Sequence, residues 1–514
     1  MKNVLFITAD QWRGECLSTL GHKVQTPNLD MLASEGILFE NHYANAVPCG
    51  PSRACIHTGM YLQNHRSGTN GTPLDARHTN WALEMRTHGY DPVLFGYTDT
   101  ANDPRQFDAD DDILKSYEGP LPGINSKIYM GTYPDAWADW LKQRGHEIPD
   151  NTYELYTKRK DVPEYENGGD VPAPLAIKAN EHDTWFMVDQ TMDYIEEHIK
   201  GGSNDQADNS WAVHLSLLRP HPPWIAPEPY NSMYPPSELE DILRHPDVST
   251  EAAEHPFMAH CLSSRYSRAP EDIKKLTRLK ASYYGLMTEV DHNLGRLFAF
   301  LKASGQWQNT LIIFTSDHGE QIGDHWLLGK MGYFNASYHI PLIIYDPSAK
   351  ADKTRGRRLS SFTENIDIMP TMLDYLDIPI PVQCDGMSLL SSVQSGHFPA
   401  NWRTEAHWEY DFRDVPKGEV LEQQLELTQD QCTLNVIRDG HYKYVHFTAL
   451  PPLFFDLKND PNEMVNLAND PKYAQKVLAY SQKMLSWRMN HDEQTLTHLA
   501  LTDTGVISRP DARY

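Results

Sequence analysis

The fold of this 514-residue chain is constrained most by two apolar runs rich in residues that favour β-strands. Each run ends abruptly and is followed by an acidic residue. The first run covers residues 4–8 and leads into Asp10, and the second covers residues 311–315 and leads into Asp317. Short continuous apolar runs of this kind are typical of buried strands in an α/β sheet. Because such folds place their chemistry at the C-terminal ends of central strands, the two acids are predicted to face one another.

Each acid is followed by a second side chain that can bind a metal ion. Gln11 follows Asp10, and His318 follows Asp317. The four side chains offer two carboxylates, an amide oxygen and an imidazole nitrogen, a donor set that predicts a divalent cation site. The alternative for either pair taken alone is a turn that closes its strand.

A cysteine next to a predicted helix is the candidate nucleophile. Pro51 can begin that helix, because its missing N–H is one that a helix start leaves unpaired. Cys49 would then lie just ahead of the N-terminus, where free N–H groups and the positive dipole end favour an anion. Arg53, one turn on, can lean over the same point. The alternative is an inert, buried thiol, the usual state of a cysteine in an intracellular protein.

The pattern C-x-P-S-R resembles the signature of type I sulfatases, members of the alkaline phosphatase superfamily. Residues 26–53, TPNLDMLASEGILFENHYANAVPCGPSR, are similar to that family's first helix, second strand and nucleophile loop in unbroken order. The resemblance implies an α/β fold with an alkaline-phosphatase-like large mixed sheet sandwiched by helices, plus a smaller C-terminal α+β domain with a short antiparallel sheet. We expect the catalytic domain at 1–376, with an irregular cap or excursion at 106–209, and the C-terminal subdomain at 377–514.

The resemblance also implies the cofactors. In the family an activating enzyme oxidises the cysteine to formylglycine, so a formylglycine-generating enzyme is an expected maturation partner of Cys49. One metal ion is expected on Asp10, Gln11, Cys49, Asp317 and His318. Sulfatases more often carry Asp-Asp and Asp-Asn at these places, with calcium. Gln11 and His318 are softer or less charged ligands, which favours manganese and keeps calcium as the alternative.

The segment after Gly96 departs from ordinary sulfatases, which carry Gly-Lys-Trp-His there. Here Tyr97 takes the lysine position, Thr98 the tryptophan position and Asp99 the histidine position. Together with CGPSR, NHR and RPHPP, this variant resembles the phosphonate monoester hydrolase branch and its arylsulfatase relatives, where a threonine is usual in place of Asp99. Asp99 is predicted to take the proton of the second hydroxyl of residue 49 when the covalent intermediate collapses and releases the product anion, with Thr100 or a water as fallback. The alternative is a segment that only closes a strand.

The same resemblance assigns further residues to the substrate. His221, between prolines in Arg-Pro-His-Pro-Pro, is expected to contact the substrate's oxyanion or leaving group. Lys330 matches the lysine of the family's G-x-H-x-x-x-G-K loop. Together with Arg53 it would stabilise the negative charge of the bound substrate anion. Asn70 and Tyr97 match positions that contact the oxyanion. The alternative for His221 is a rigid loop with an incidental histidine, and the alternative for Lys330 is a solvated surface lysine. The alternative for the loop of Asn70 is a simple connector.

These residues together predict a metal-dependent hydrolase of sulfate monoesters and phosphonate monoesters, with phosphate diesters as a further substrate class. Catalysis would use the formylglycine nucleophile and a covalent hemiacetal intermediate. A narrow-specificity sulfatase of a sugar or choline sulfate is the alternative enzyme. An unmodified Cys49 would instead leave a non-catalytic, anion-binding protein.

Composition and charge limit the partners. The formal charge of −25 and the lack of a basic cluster argue against nucleic acid and anionic membranes. No apolar run is long enough for a signal peptide or a membrane span, so a cytoplasmic protein is expected. The six scattered cysteines are expected to be free thiols. A small anionic ester is the expected substrate, and a homo-oligomer, dimer or tetramer, is the expected assembly, with the polar tail 491–514 available to wrap a neighbouring subunit.

Hydrophobic periodicity and capping residues predict the remaining elements. Helices are expected after residue 26 and at 81–89, 185–199, 271–304 and 363–376. Strands are expected at 92–96, 211–218 and 341–345, and shorter antiparallel strands at 408–412, 432–438, 441–445 and 454–457.

Overall fold

The structure is a computed structural model that describes residues 2–162, 171–201, 210–264, 267–415 and 423–508. Its strands are β1 (Asn3–Ala9), β2 (Ile37–Tyr43), β3 (Ala46–Val47), β4 (Pro92–Gly96), β5 (Asn125–Tyr129), β6 (Ala212–Leu217), β7 (Thr310–Thr315), β8 (His339–Tyr345), β9 (Arg357–Glu364), β10 (Ala406–Asp411), β11 (Thr433–Arg438), β12 (Tyr442–Phe447), β13 (Leu453–Asp456), β14 (Leu499–Thr502) and β15 (Gly505–Ser508). Its α-helices are α1 (Pro27–Glu35), α2 (Cys49–Thr58), α3 (Leu62–His65), α4 (Trp81–Thr87), α5 (Asp135–Gln143), α6 (Asp183–Gly201), α7 (Val248–Ala253), α8 (Pro256–Ser263), α9 (Ile273–Ala303), α10 (Asn335–Tyr338), α11 (Ile368–Tyr375), α12 (Leu390–Ser395) and α13 (Ala474–Asn490).

Eight strands form one mixed sheet in the order β5-β4-β6-β1-β7-β8-β2-β9. Strands β4, β6, β1 and β7 are parallel, whereas β8 is antiparallel to both of its neighbours. The register pairs Thr8 with Thr315 of β7 and Ala9 with Leu217 of β6. The chain therefore leaves these neighbouring strands at one edge of the sheet, as predicted for the two strand-end acids.

The side chains of β1 alternate between two hydrophobic cores. Leu5 and Ile7 belong to the core formed with α1, α6 and α9. Val4 and Phe6 belong to the core formed with α4 and α11 on the opposite face. All residues of β1 and β7 are buried, which explains why their sequences are continuous apolar runs. The predicted large mixed sheet between layers of helix is confirmed.

The predicted small antiparallel sheet is also confirmed, with one added strand. Its order is β13-β12-β11-β10-β3, and β10 to β13 pair antiparallel. The two-residue strand β3 runs parallel to β10, with Ala46 opposite Glu409. The chain just before Cys49 is therefore fixed by the C-terminal sheet, while the helix that follows it packs on the large sheet.

Two predicted helix starts were wrong. Helix α2 begins at Cys49 after Pro48 rather than at Pro51, so Cys49 is the first residue of the helix. In the stretch predicted as a helix from Thr363, residues 363 and 364 close β9, a 3₁₀ turn follows, and α11 begins at Ile368.

The described parts of the 106–209 segment contain more regular structure than expected. Strand β5 adds the edge strand of the large sheet, and α5 and α6 pack in the core beneath it. All six cysteines are buried free thiols, as expected. Within the described ranges, no helix combines the length and apolarity needed to cross a bilayer.

Candidate active site

The strand ends bring the predicted metal residues to one point. Ligand atoms of Asp10, Cys49, Asp317 and His318 all lie within 4.8 Å of one another. The Cys49 Sγ lies 3.2 Å from His318 Nε2 and 3.2 Å from the Lys330 Nζ. In a modified enzyme an oxygen of the hydrated aldehyde would occupy the place of this sulfur.

Ser52 and Arg53 explain why the C-x-P-S-R pattern requires those residue types. The Ser52 hydroxyl donates to the backbone oxygen of Asp317 at 2.5 Å. Arg53 Nε donates to the Asp317 carboxylate at 3.0 Å, and Nη2 donates to Asp10 at 3.2 Å. These bonds fix helix α2 to the ends of β7 and β1 and so place residue 49 at their edge of the sheet.

The remaining contacts of Arg53 also go to the protein itself. Its Nη1 donates to the Tyr97 backbone oxygen and to Ser216 Oγ, both at 2.9 Å, and its guanidinium lies 4.2 Å from the centre of the Tyr97 ring. The Tyr97 hydroxyl donates to Asp10 at 2.5 Å. Arg53 and Tyr97, which the sequence assigned to the substrate, therefore contact the strand-end carboxylates directly.

The residues present fit a divalent cation. Among the described atoms, Asp10 Oδ1 is buried and has no hydrogen-bond partner, a costly state unless a cation completes it. His318 Nδ1 donates to the Gly319 carbonyl at 3.0 Å, which leaves the Nε2 lone pair facing the cluster. Burial lowers the pKa of His318, so the ring is neutral, the form that binds a metal.

Gln11 completes the donor set in an unusual backbone conformation. Its φ of 69° lies in the left-handed region, where a non-glycine residue is strained. Its amide oxygen accepts from Lys330 Nζ at 2.9 Å, and its amide nitrogen donates to the buried Glu320. The Gln11 oxygen and the Cys49 sulfur are thus linked by one ammonium group.

The protonation states of Lys330 and Cys49 are set by burial and by neighbouring charge. Although burial opposes its charge, the hydrogen bond to the Cys49 sulfur and the carboxylates of Asp10 and Asp317 hold the pKa of Lys330 above its ordinary value. Burial, aided by the charge of Asp10, raises the pKa of the Cys49 thiol well above its usual range. An unmodified Cys49 would therefore be a poor nucleophile at neutral pH, since thiols react as thiolates.

His221 is held in one tautomer by its own loop. Its Nδ1 donates to the Pro222 carbonyl at 2.8 Å, so Nε2 is the nitrogen left for a ligand. Arg219 donates to the His221 backbone oxygen at 2.7 Å and to the Asp183 carboxylate at 3.1 Å. Burial lowers the pKa of His221 to about 3, so the ring is neutral at neutral pH.

The other predicted substrate residues surround the start of α2. Asp99 is buried, has a left-handed φ of 47°, and places Oδ2 3.6 Å from Arg53 Nε. Burial raises the pKa of Asp99 to about 7. Asn70 Oδ1 accepts from the Gly50 N–H at 2.9 Å, which leaves its amide nitrogen as a donor. Thr100 Oγ1 donates to the backbone oxygen two residues earlier, within its own loop.

Sequence reasoning missed two acids that hold these groups in place. Glu320 belongs to the same Ser-Asp-His-Gly-Glu run as Asp317 and His318, and that closeness was the available signal. Asp183 lies in α6, within the 106–209 segment to which no chemistry was assigned, and no pattern in the sequence marks it.

Comparisons with known proteins agree with the family resemblance predicted from the sequence. The sulfatase family model matches residues 2–378, and a model of the C-terminal region of N-sulphoglucosamine sulphohydrolase matches residues 323–490. The multifunctional alkaline phosphatase superfamily protein PehA of Trinickia caryophylli is 42% identical over 99% of both chains. An arylsulfatase of Clostridium perfringens is 29% identical over 96% of both. The crystal structure of a phosphonate monoester hydrolase of Agrobacterium radiobacter superposes with a TM-score of 0.91 at 42% identity, covering 99% of this chain and 100% of that one.

The family match spans most of the chain and includes helix α2, both strand-end acid pairs and the loop that leads to Lys330. The relatives cover the C-terminal sheet as well. The chain therefore belongs to the sulfatase family and is, as predicted, a sulfuric or phosphonic ester hydrolase.

Proposed function

We propose that this enzyme hydrolyses sulfate monoesters, phosphonate monoesters and phosphate diesters with a formylglycine nucleophile made from Cys49. One observation carries the proposal. The Cys49 Sγ lies 3.2 Å from both an imidazole nitrogen and an ammonium group, at the point where two strand-end carboxylates meet. The names of the relatives support the first two of these ester classes, since they include an arylsulfatase and a phosphonate monoester hydrolase.

Asp10, Gln11, Asp317, His318 and residue 49 would hold one divalent cation. The mixture of carboxylate, amide and imidazole donors favours Mn²⁺, with Ca²⁺ as the alternative. When bound, the cation would make the attacking hydroxyl more acidic and take up charge from a substrate oxygen.

The surrounding residues bind the ester and move its protons. Lys330 is placed to bind a free oxygen on sulfur or phosphorus, because its ammonium already lies beside the attacking atom of residue 49. His221 Nε2 and the Asn70 amide nitrogen offer further contacts to the ester. Asp99, buried next to Arg53, would accept the proton of the second hydroxyl of residue 49 as the product anion leaves.

Local charge favours monoanionic esters. Sulfate monoesters, phosphonate monoesters and phosphate diesters each carry one negative charge, whereas a phosphate monoester carries close to two at neutral pH. The ionised form of Asp99 would repel the second charge, because the two would meet in a buried, low-dielectric site.

A panel of four p-nitrophenyl substrates tests this function on metal-loaded enzyme carrying the aldehyde. We expect turnover of the sulfate, the phenylphosphonate and the bis-phosphate, and the lowest kcat/KM for the dianionic phosphate monoester. Turnover of the sulfate alone would favour a narrow-specificity sulfatase. Failure on all four, with the aldehyde present, would count against the proposed chemistry.

Asp99→Asn should remove the acidic limb of the pH–rate profile. Because burial raises the pKa of Asp99 to about 7, the parent enzyme should lose activity as the carboxylate is protonated below that pH. The variant should be slower at pH 8, and its rate should not fall between pH 8 and 6. Unchanged turnover of Asp99→Asn over the full pH range would exclude the role.

Protein stability provides an independent check on the same side chain. The pKa of Asp99 rises from an ordinary 3.8 to about 7 on folding, so folding is opposed wherever the unfolded chain is ionised. The stability of the parent relative to Asp99→Asn should therefore fall as the pH rises from 4 to 7. Above pH 7 this difference should stay constant. An equal difference in unfolding free energy between parent and Asp99→Asn at pH 4 and at pH 8 would contradict this.

We also propose that the enzyme is a cytoplasmic homo-oligomer assembled through its C-terminal hairpin. All residues of β14 and β15 are exposed, with Leu501 at 85%, and an isolated two-stranded hairpin is marginally stable in water. A second copy of the chain would cover it, and the buried free thiols fit a reducing compartment. A chain ending at residue 490 should form an assembly with fewer subunits, measured as the light-scattering mass divided by the mass of one truncated chain. An unchanged number of subunits would rule out this interface.

A further inference from the structure

We propose that Glu320 is a positioning residue that fixes the Gln11 amide with its oxygen toward the metal site. Glu320 is fully buried and lies outside the residues predicted from the sequence. Its Oε1 accepts from the backbone N–H groups of Ile322 and Gly329, both at 2.7 Å. Its Oε2 accepts from the Gln11 amide nitrogen. All three partners are N–H donors, so the group serves as an acceptor toward each of them.

The two ends of the Gln11 amide are fixed by partners of opposite kind. A carboxylate accepts hydrogen bonds, so the amide nitrogen must face Glu320. The Lys330 ammonium only donates, so the amide oxygen faces Lys330 at 2.9 Å. The Gln11 backbone is also fixed, because its N–H donates to Asp317 at 3.2 Å and its carbonyl accepts from Tyr283 at 2.7 Å. Rotation of the side-chain amide is therefore the freedom that Glu320 removes.

Orientation decides whether Gln11 can bind a cation. The amide oxygen is a metal ligand, whereas the amide NH₂ is a donor that a cation repels. Partners that orient a ligand in this way typically contribute a factor of about 10–100 to metal affinity. The inference rests on the proposed function only in taking Gln11 as a metal ligand.

Glu320 also ties together the ends of the loop that carries Lys330. Between Ile322 and Gly329 the backbone is left-handed at several residues, including Ile322 (φ 44°), His325 (φ 53°) and Trp326 (φ 60°). Such conformations persist only where the surroundings enforce them. One carboxylate therefore sets both a metal ligand and the loop that leads to the substrate-binding lysine.

Glu320→Gln separates these two roles, because both backbone N–H groups donate to Oε1 and Gln11 donates to Oε2. The new amide keeps an oxygen for the backbone but turns an NH₂ toward the NH₂ of Gln11. The Gln11 amide should then flip. We expect the Kd for Mn²⁺ to rise about 10–100-fold. Electron paramagnetic resonance of free Mn²⁺, titrated into metal-stripped full-length protein, measures this without any turnover.

A reciprocal exchange makes the test specific. In Gln11→Glu/Glu320→Gln the donor and acceptor change places, so residue 320 donates to a carboxylate whose other oxygen faces the metal. We expect this double variant to bind Mn²⁺ within a few-fold of the parent. Asp324→Asn, which removes a buried charge paired with Arg13 within the same loop, controls for loss of charge and should leave the Kd unchanged.

Each remaining outcome is decisive. Parent-like affinity in Glu320→Gln, with affinity lost in Gln11→Ala, would overturn this inference and leave the proposed metal site standing. Equal losses in Glu320→Gln and the double variant would show that charge or packing, not amide orientation, is responsible. Parent-like affinity in Gln11→Ala would remove Gln11 from the metal site and overturn this inference, while the proposed hydrolysis would still have the ligands Asp10, Asp317, His318 and residue 49.

Discussion

Cys49→Ala should lower kcat by roughly 10⁴-fold or more, because loss of a covalent nucleophile typically costs this much. The expectation follows from the position of the Cys49 side chain, whose Sγ lies within 3.2 Å of both His318 Nε2 and Lys330 Nζ. The assay is steady-state hydrolysis of an aryl sulfate and a phosphonate monoester. Enzyme produced together with a formylglycine-generating enzyme is the reference.

Cys55→Ala is the matched control for this substitution. Cys55 is a buried thiol on the same helix, but its sulfur contacts His65 at 3.2 Å rather than the strand-end acids. It should keep near-parent kcat with some loss of stability. Comparable losses in both variants would mean that the cysteines of α2 matter for packing only.

The chemical state of residue 49 can be read directly. Peptide mass and hydrazide reactivity across residue 49 should show an aldehyde only when the activating enzyme is supplied, and activity should follow the modified fraction. Full activity with an unreacted Cys49 would mean that the nucleophile has been misassigned. A modified but inactive protein would instead point to the metal or to the substrate.

Much of the architecture could be predicted because its signals are local. The runs that became β1 and β7 are buried on both faces and so are continuously apolar, which a short window reveals. The first residues of the helices were harder to predict. Helix α1 follows Thr26 as expected, but the Thr26 side chain makes no cap hydrogen bond. The N–H groups of Asn28 and Leu29 donate to Asp291 of α9 instead. Pro51 was expected to begin α2, which instead begins at Cys49.

The residues of the candidate site also divide into those that could be predicted from the sequence and those that could not. Asp10 and Asp317 were predictable because each directly follows a recognisable strand, and parallel strands bring their ends together. The roles of Arg53, Asp183 and Glu320 were not, since each depends on at least one partner far away in the chain, which for Glu320 is Gln11. Arg53, for example, contacts acids that follow two different strands, and this pairing exists only once the sheet has formed.

Arg53→Met should destabilise the fold by roughly 3–5 kcal/mol, because it leaves buried carboxylates without their counter-charge. Arg53 lies 3.2 Å from Asp10, 3.0 Å from Asp317 and 3.6 Å from Asp99, and its side chain is 2% exposed. Methionine fills a similar volume without charge, so the loss should come from electrostatics rather than from a cavity. Urea unfolding in the absence of metal measures it.

The loss of stability in Arg53→Met should depend on pH. Although burial opposes ionisation of Asp10, the nearby His221 and His318 rings, once protonated at low pH, and the charges of Lys330 and Arg53 hold its pKa well below the ordinary value. A carboxyl with a depressed pKa contributes stability above its unfolded pKa and loses it as the pH falls. The difference between parent and Arg53→Met should therefore be full at pH 7 and shrink below about pH 4.

Mn²⁺ distinguishes this cluster from an ordinary buried ion pair. A bound cation would supply the missing positive charge, so Mn²⁺ should restore much of the stability of Arg53→Met. Arg403→Met is the matched control, since Arg403 is 12% exposed and contacts the buried acids Glu364 and Asp367. It should lose comparable stability with no recovery in Mn²⁺. Equal recovery of both variants would show that the ion acts elsewhere, whereas recovery of Arg53→Met alone would place a cation among the strand-end carboxylates.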